Sequence, residues 1–553
     1  MGTDSTGSVE TNGLWTQQPL QVSLVGAFFS ATGAYRLEAV PLMTFKSILF
    51  NNTGEGTNEV SSEAPSFFVD LNLNQIIDAI TSERDIYNLQ PFFFTPLHSE
   101  DAIRYRHEIM QELKNENLMT AIKSFAGQMV VIRRYLALSD KLIYKYFKEG
   151  WFLEAAVQYC ETVNNLAHDL SAIELKSRGF SAFRDYLKNY AGSDAFTSLL
   201  TDTKKLSADF SHVKYSLHIH GLTVRVRKYE GETDFSVEVA QTFEKFKQGT
   251  VKDYRNKLRE GTDINDVESR ILDFVAKLYP AIFAGLDGFY EQHSHFVNET
   301  ISVFDREIQF YVAYLEFIAK FQPAGLNFCY PQISSVSKEV NDSEGFDLAL
   351  ANKLIAEGSS VVCNSFCLKG KERIFVVSGP NQGGKTTFAR MFGQVHYLAG
   401  LGCPVPGKEA RLFLFDNIFT HFEKMEDIKD LRGKLQDDLV RMHEILAQAT
   451  PDSIIIINEI LTSTTLQDAI FLSKKVIEKI IGLDLLCVWV TFVEELSTYS
   501  EKTVSMVSTV NPENPAVSIF KVIRKPADGL SYAHAIAEKH HLTYKSLQER
   551  IKS

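Results

Sequence analysis

Residues 379–387 read Gly-Pro-Asn-Gln-Gly-Gly-Lys-Thr-Thr, with the spacing Gly-x4-Gly-Lys-Thr. An apolar run, 374–377, precedes them and a helix-like stretch, 388–399, follows. Strand, glycine turn and helix in that order make a phosphate loop, because backbone N–H groups curl around phosphate oxygens only where no Cβ obstructs them. Gly379, Gly383 and Gly384 provide that freedom, and Pro380, Asn381, Gln382 and Thr387 complete the predicted nucleotide-binding set. Lys385 is placed to reach the terminal phosphates of a nucleoside triphosphate. Thr386, first on the helix, puts its hydroxyl where a phosphate-bound Mg2+ sits, and the helix N-terminus adds partial positive charge.

Such a site needs an acidic strand end beside the loop, and Ile454-Ile455-Ile456-Ile457-Asn458-Glu459 is the candidate. Four consecutive isoleucines predict a buried strand. Glu459, at its C-terminal end, is the expected catalytic base. Asn458 stands where an Asp is usual; its amide can still hold a metal through a water, but it lacks the charge that attracts Mg2+. Hydrolysis is therefore expected to be weakened more than binding.

The chain has 553 residues, too many for one core, and is expected to hold about three or four domains. Its 57 basic and 69 acidic residues, net −12, exclude a surface coated with nucleic-acid-binding charge but leave room for one local basic face. Six cysteines, at 160, 329, 363, 367, 403 and 487, fit no common zinc spacing and point to a reduced, cytoplasmic setting. Residues 11–35 carry no charge, yet Pro19, Gly26 and Gly33 interrupt them and the preceding flank is acidic, so neither export nor a membrane span is expected.

Residues 1–15 and 51–65 are rich in Gly, Ser, Thr, Asn and Glu, and residues 1–70 read as a tail and a short segment around one apolar piece, 43–50. From Leu71 to about Lys204 apolar residues recur at three- and four-residue steps, which predicts long helices. At 213–226 and 235–239 they alternate instead, predicting a small antiparallel insertion at about 206–250. Lys214, His218, His220, Arg225, Arg227 and Lys228 concentrate there, and strand spacing lets several share a face. Lys214, Arg225, Arg227 and Lys228 are thus candidates for contacting a nucleic-acid backbone, against the plainer reading of a solvated strand face. Helical patterns resume at 267–321. Beyond a loop-rich approach, 336–553 shows short apolar strands at 374–377, 454–458 and 486–490 between helices, the pattern of a parallel sheet covered on both faces.

The nucleotide half resembles the MutS mismatch-recognition family. The Pro-Asn and double Gly of the loop carry the resemblance, with Ala399-Gly400-Leu401-Gly402-Cys403-Pro404-Val405-Pro406, Asp416-Asn417-Ile418-Phe419-Thr420 and Ile445-Leu446-Ala447-Gln448-Ala449-Thr450. Val361-Val362-Cys363-Asn364 is similar to the family's adenine-side segment. Ser531-Tyr532-Ala533-His534-Ala535-Ile536-Ala537 looks like its C-terminal dimerisation element. The resemblance implies an α/β plus mostly α architecture: a C-terminal P-loop, ABC-type ATPase domain at 336–553, preceded by a helical core and lever at 71–335 with a clamp-like β insertion. It implies ATP and Mg2+ as cofactors, double-stranded DNA that is mismatched, branched or distorted as partner, and a homodimer.

The sequence also departs from the family. Asn458 replaces the first acid of its acidic pair, Leu461-Thr462-Ser463-Thr464-Thr465 replaces its glycine-rich continuation, Phe492 stands near its phosphate-sensing histidine, and Gly433 near the serine supplied across the dimer. Its wedge pattern Phe-x-Glu occurs at Phe289-Tyr290-Glu291, but the apolar spacing there continues through His293 and Phe296 and predicts a core helix. The expectation is a shortened MutS-like ATPase lacking the N-terminal mismatch-reading domain and closing on DNA by shape. The competing reading is a weakly hydrolysing nucleotide-binding scaffold for protein or ribosome partners.

Overall fold

The computed structural model describes residues 45–51, 61–221, 223–232, 266–423, 433–511 and 518–527, with 542–544, 547, 548 and 550 near the C-terminus. The helical region runs α1 (Leu73–Thr81), α2 (Gln90–Phe94), α3 (Glu100–Glu112), α4 (Glu116–Lys141), α5 (Lys145–Ala172), α6 (Arg178–Ala191) and α7 (Asp194–Ser211). A hairpin follows, β1 (Tyr215–His220) and β2 (Thr223–Lys228), and then α8 (Asp266–Leu278), α9 (Pro280–Gln292) and α10 (Glu299–Ala319). Local chemistry sets several helix starts: Asn115, Ser177, Ser193 and Asn298 each accept a backbone N–H from the first turn of the helix they precede. The wedge-like triplet lies in α9, where Phe289 is buried, as the apolar spacing predicts.

The remaining elements are β3 (Phe328–Cys329), β4 (Gln332–Ser334), β5 (Val340–Gly345), α11 (Leu348–Ala356), β6 (Asn364–Leu368), β7 (Ile374–Ser378), α12 (Lys385–Gly400), β8 (Val405–Pro406), β9 (Glu409–Phe413), β10 (Ile418–Phe422), α13 (Lys434–Gln448), β11 (Ile454–Asn458), α14 (Leu466–Leu483), β12 (Leu486–Val490), β13 (Thr503–Val510) and β14 (Ser518–Arg524). Six of these strands form one sheet in the order β10-β11-β12-β7-β13-β14, parallel throughout except for β14 at the edge. A second sheet, β4-β9-β5-β6, is not among the predicted strands, and only β4 lies in the stretch expected to be loop-rich. Its strands run to no more than six residues each, too short for alternation to stand out.

The main sheet is buried on both faces, and its side chains divide between two cores. Ile454 and Ile456 of β11 join Phe375 and Val377 of β7 and the side chains of α12. Ile455 and Ile457 point the other way, with Ile374, Val376 and Trp489, toward α13 and α14. Each isoleucine removed from water in this way contributes about 2 kcal/mol, which is why a polar residue first appears where the strand ends, at Asn458.

The first of these cores continues without a break into the helical region. The apolar piece at 45–50 belongs to it: Phe45, Ile48 and Leu49 are buried, Ile48 N–H donates to Glu307 and Tyr311 OH to the Ile48 carbonyl. Arg106 is wholly buried, donating to the carbonyls of Leu49 and Leu401. Such a guanidinium is tolerable only because carbonyls and the rings of Phe50 and Phe310 surround it. Residues 1–44, including the uncharged run, the proposed strand at 235–239 and the Ser531–Ala537 motif, written 531–537, lie outside the described residues.

The hairpin is antiparallel, and its register assigns the basic residues to two faces. His218 is opposite Arg225 and Ser216 opposite Arg227, so these share one face with His220; Lys228, opposite Tyr215, lies on the other. That other face is the apolar one, where Val226 packs against Val275, Ala276 and Phe283, and Lys228 Nζ sits 5.0 Å from the centre of the Tyr279 ring. A two-residue strand period separates positions 225 and 227 from 228.

Asp342 in β5 is the least compensated group of the second sheet. Both carboxylate oxygens are buried without a hydrogen-bond partner, against Gly345 and Gly407, where a Cβ would meet them at 1.9 and 2.3 Å. Burial pushes its pKa up to about 8 from 3.8. The folded state therefore binds a proton that the unfolded state has released, and this group makes stability fall as pH rises from 3.8 toward 8. Melting Asp342→Asn and wild type across that range should show the variant less pH-dependent, with its advantage greatest at the alkaline end.

Candidate functional site

The C-terminal ends of three strands lie level: Asn458 is opposite Val490, and Val490 opposite Val377. The chain leaves β7 at Ser378 and turns at once through Gly379, with φ 116°, then Gln382 at 60° and Gly384 at 91°, before entering α12. At Gly379 a Cβ would lie 2.9 Å from the Ser508 carbonyl oxygen, and at Gly383 it would lie 2.0 Å from Ser508 Oγ and 3.0 Å from the Pro380 carbonyl. These positions admit glycine alone because β13 passes directly beneath them. The result is a cradle, open on its outer side, at the N-terminus of a sixteen-residue helix.

Lys385 is nearly enclosed, its side chain 7% exposed. Its ammonium donates to the carbonyls of Gly379 (3.2 Å) and Pro380 (3.0 Å) and to Asn381 Oδ1 (3.2 Å), and lies 3.4 Å from Glu459 Oε1. Thr386 Oγ1 donates to Asn458 Oδ1 at 2.8 Å. The loop and the strand end predicted from sequence are thus in contact. The amide at 458 accepts the threonine proton, leaving the hydroxyl oxygen available to a cation but supplying no negative charge to hold one.

Glu459 and Leu461 both have left-handed backbone, φ 52° and 62°. For side chains of that size the conformation costs about 1–3 kcal/mol and persists only when surroundings impose it. Glu459 N–H donates to the Val490 carbonyl at 3.0 Å, and Leu461 N–H to Asp438 Oδ2 at 3.2 Å. Behind Asp438 stands His421, fully buried, with Nε2 3.1 Å from the Asp438 carbonyl. Burial, followed by the nearby Arg441 charge, holds the His421 pKa below its ordinary value. The turn is therefore gripped from β12 and from α13, and it directs the Glu459 carboxylate at Lys385.

These residues line a cavity of about 590 Å3. Its lining combines the polar loop residues Asn381, Gln382, Gly384, Lys385, Thr386, Thr387 and Glu459 with the apolar side chains of Leu350, Leu354, Val361, Val362 and Phe520. Phe520 is half exposed and left-handed, φ 57°. Asn364 clamps it there, donating to the Phe520 carbonyl at 3.1 Å and accepting Val522 N–H at 2.8 Å. Asp347, the N-cap of α11, is raised in pKa by burial and restrained by Gln394 Nε2 at 2.9 Å.

Sequence reasoning missed Leu350, Leu354 and Phe520. Leu350 and Leu354 have i, i+4 helical spacing that marks a common face, whereas nothing in the order of residues around 520 signals its strained backbone. Phe492 is 47% exposed just past β12, and Gly433 is the N-cap of α13; neither lines the cavity. Lys214, Arg225, Arg227 and Lys228 are exposed on the separate hairpin region. Among the described residues no cluster of three or more His, Cys, Asp or Glu is placed to hold a metal, and no helix is long and apolar enough to cross a membrane.

Residues 375–549 match the family described as MutS domain V. The chain is 29% identical over 223 residues to the DNA mismatch repair protein MutS of Zymomonas mobilis, a match covering 39% of this chain and 24% of that protein. It is 27% identical over 216 residues to the protein of the same name from Orientia tsutsugamushi strain Boryong, covering 38% and 24%. For that of Shouchella clausii the identity is 31% over 191 residues, covering 33% and 22%. The matches thus span about a quarter of these relatives' length and lie with the loop, the acidic strand end and their sheet. Through this C-terminal part, the chain is similar to proteins of the MutS family.

Proposed function

We propose that the cavity binds ATP with Mg2+, and that the protein is an ATP-controlled DNA-binding protein of the mismatch-repair type that recognises or clamps mismatched, branched or otherwise distorted duplex. The observation that carries the nucleotide reading is the glycine cradle with Lys385 inside it, where any Cβ at 379 or 383 would collide with β13. Gly379–Thr387, written 379–387, would hold the phosphates, with Lys385 as their counter-charge and Phe520, Val361 and Val362 beside the base. Thr386, with Asn458 behind it through a water, would hold Mg2+, whose chemistry is to neutralise charge on the phosphates. Glu459 is the carboxylate placed to take a proton from an attacking water.

In this reading residues 336–553 form an ABC-type P-loop ATPase domain and 71–335 the helical core and lever, with 1–70 as an N-terminal segment. The exposed face of the hairpin, with Arg225 and Arg227 adjacent on β2, would meet the DNA backbone, and two copies would make a homodimer in the cytoplasm. Support for the DNA partner comes from the name of the relatives, DNA mismatch repair protein MutS, and from the clustering of positive charge on one hairpin face of an acidic chain. A second reading, a weakly hydrolysing nucleotide-dependent scaffold for protein or ribosome partners, is favoured by the neutral amide at 458 and by Phe492.

Binding of a fluorescent ATP analogue should fall at least tenfold in Lys385→Ala; unchanged affinity would remove the nucleotide reading. Turnover separates the two functions. In the ATPase reading wild type turns over and Glu459→Ala loses about 100-fold or more, while Asn458→Asp gains activity; an inert wild type that still binds ATP selects the scaffold. For DNA, Arg225→Ala with Arg227→Ala should weaken duplex binding and reduce the slope of log K against log salt by about 2, whereas Lys228→Ala should change it by less than about 1. Absence of salt-sensitive binding to any duplex, mismatched or branched DNA would sink the DNA partner.

A further inference from the structure

Ser508 lies in β13 beside the phosphate loop. Its neighbour Val507 pairs with Ser378, the last residue of β7, and Ser508 itself pairs with Val522 of β14. The side chain is fully buried and Oγ has no hydrogen-bond partner. The hydroxyl occupies the volume that a side chain at Gly383 would need, 2.0 Å from its Cβ position, and the carbonyl oxygen of the buried Pro380 lies 3.0 Å from that same position. A buried hydroxyl without a partner destabilises the state that contains it, so an apolar residue would serve this structure better.

The loop's own hydrogen bonds give a reason for keeping it. Gly383 N–H donates to the Pro380 carbonyl at 3.2 Å, and Lys385 spends its donors on Gly379, Pro380 and Asn381. A phosphate loop binds its anion by turning such donors toward the oxygens. Binding therefore draws Gly383 N–H and at least part of the Lys385 ammonium away from acceptors they now satisfy. The Pro380 carbonyl is left in a buried place where water cannot replace them. We propose that Ser508 is a positioning residue for nucleotide binding: its O–H is the reserve donor that takes over the Pro380 carbonyl when Gly383 and Lys385 turn to the phosphates. This rests on the nucleotide reading above and adds a residue that never touches the ligand.

The test compares wild type, Lys385→Ala, Ser508→Ala and Ser508→Cys by titration with a fluorescent ATP analogue and by melting with and without ATP and Mg2+. A wild type that binds nothing removes the nucleotide reading itself, and the proposal with it. If wild type binds and Lys385→Ala does not, the comparison falls on Ser508 alone. Ser508→Ala should then melt no lower than wild type without nucleotide, bind about tenfold more weakly, and show a smaller ATP-induced rise in Tm. Ser508→Cys, a weak donor of similar volume, should fall between. Equal affinity in Ser508→Ala overturns the proposal, as does a parallel loss of affinity and of Tm without nucleotide, which would mark mere structural support. Should Ser508→Ala fail to fold, Ser508→Cys decides: weaker binding at unchanged Tm supports the donor exchange, and wild-type affinity overturns it.

Discussion

The structure depends on burying the helix that follows the phosphate loop. From Phe388 to Gly400 almost every residue of α12 is inaccessible, so the polar groups it carries must find partners inside the protein. Gln394 does this most fully, donating to the Leu71 carbonyl and to Asp347 while accepting Leu348 N–H. Arg390 reaches the Asp70 carbonyl, Tyr397 the Phe93 carbonyl, and the carbonyls of Gly400 and Leu401 receive Leu97 N–H and Arg106. At Gly393 the approach of Leu71 and Ile456 is so close that a Cβ would stand 2.7 Å from each. One helix therefore carries the loop at its N-terminus and, turn after turn, the attachments of the helical region.

The opposite side of the site is held by strain. The turn 459–461 uses two left-handed residues where glycines would be easier, and its N–H groups, donating to the Val490 carbonyl and the Asp438 carboxylate, keep it so. Because Asp438 belongs to α13, the aim of Glu459 is tied to the position of that helix. The amide at 458 completes a site that is well built to enclose phosphate and poorly charged to attract a metal. In the proposed function, binding and cleavage rest on different residues.

Much of this was legible in the order of residues. The loop 379–387, the strand 454–458 with Glu459 at its end, and the long helices were readable because each is specified locally: glycine spacing, an unbroken apolar run, a 3.6-residue period. The sheet β4-β9-β5-β6 was not, since its strands are short and exist only through pairing with distant segments. Lys228 stands with Arg225 and Arg227 among the basic residues of the hairpin, and only the register of β1 with β2 assigns its face. Phe520 was overlooked because its role comes from a backbone conformation imposed by Asn364, more than 150 residues away.

By itself the sequence placed a Gly-x4-Gly-Lys-Thr loop between strand and helix, singled out Lys385 and the strand-end acid Glu459 as going with it, and put the neutral Asn458 beside that acid. Those features follow from residue type at fixed short spacing. Tertiary structure alone decided why Gly379 and Gly383 admit no side chain, which apolar residues share the cavity with the loop, and that a buried hydroxyl without a partner lies beside Gly383. Each of these depends on which strand lies next to which, and β13 comes to the loop from more than a hundred residues further along the chain.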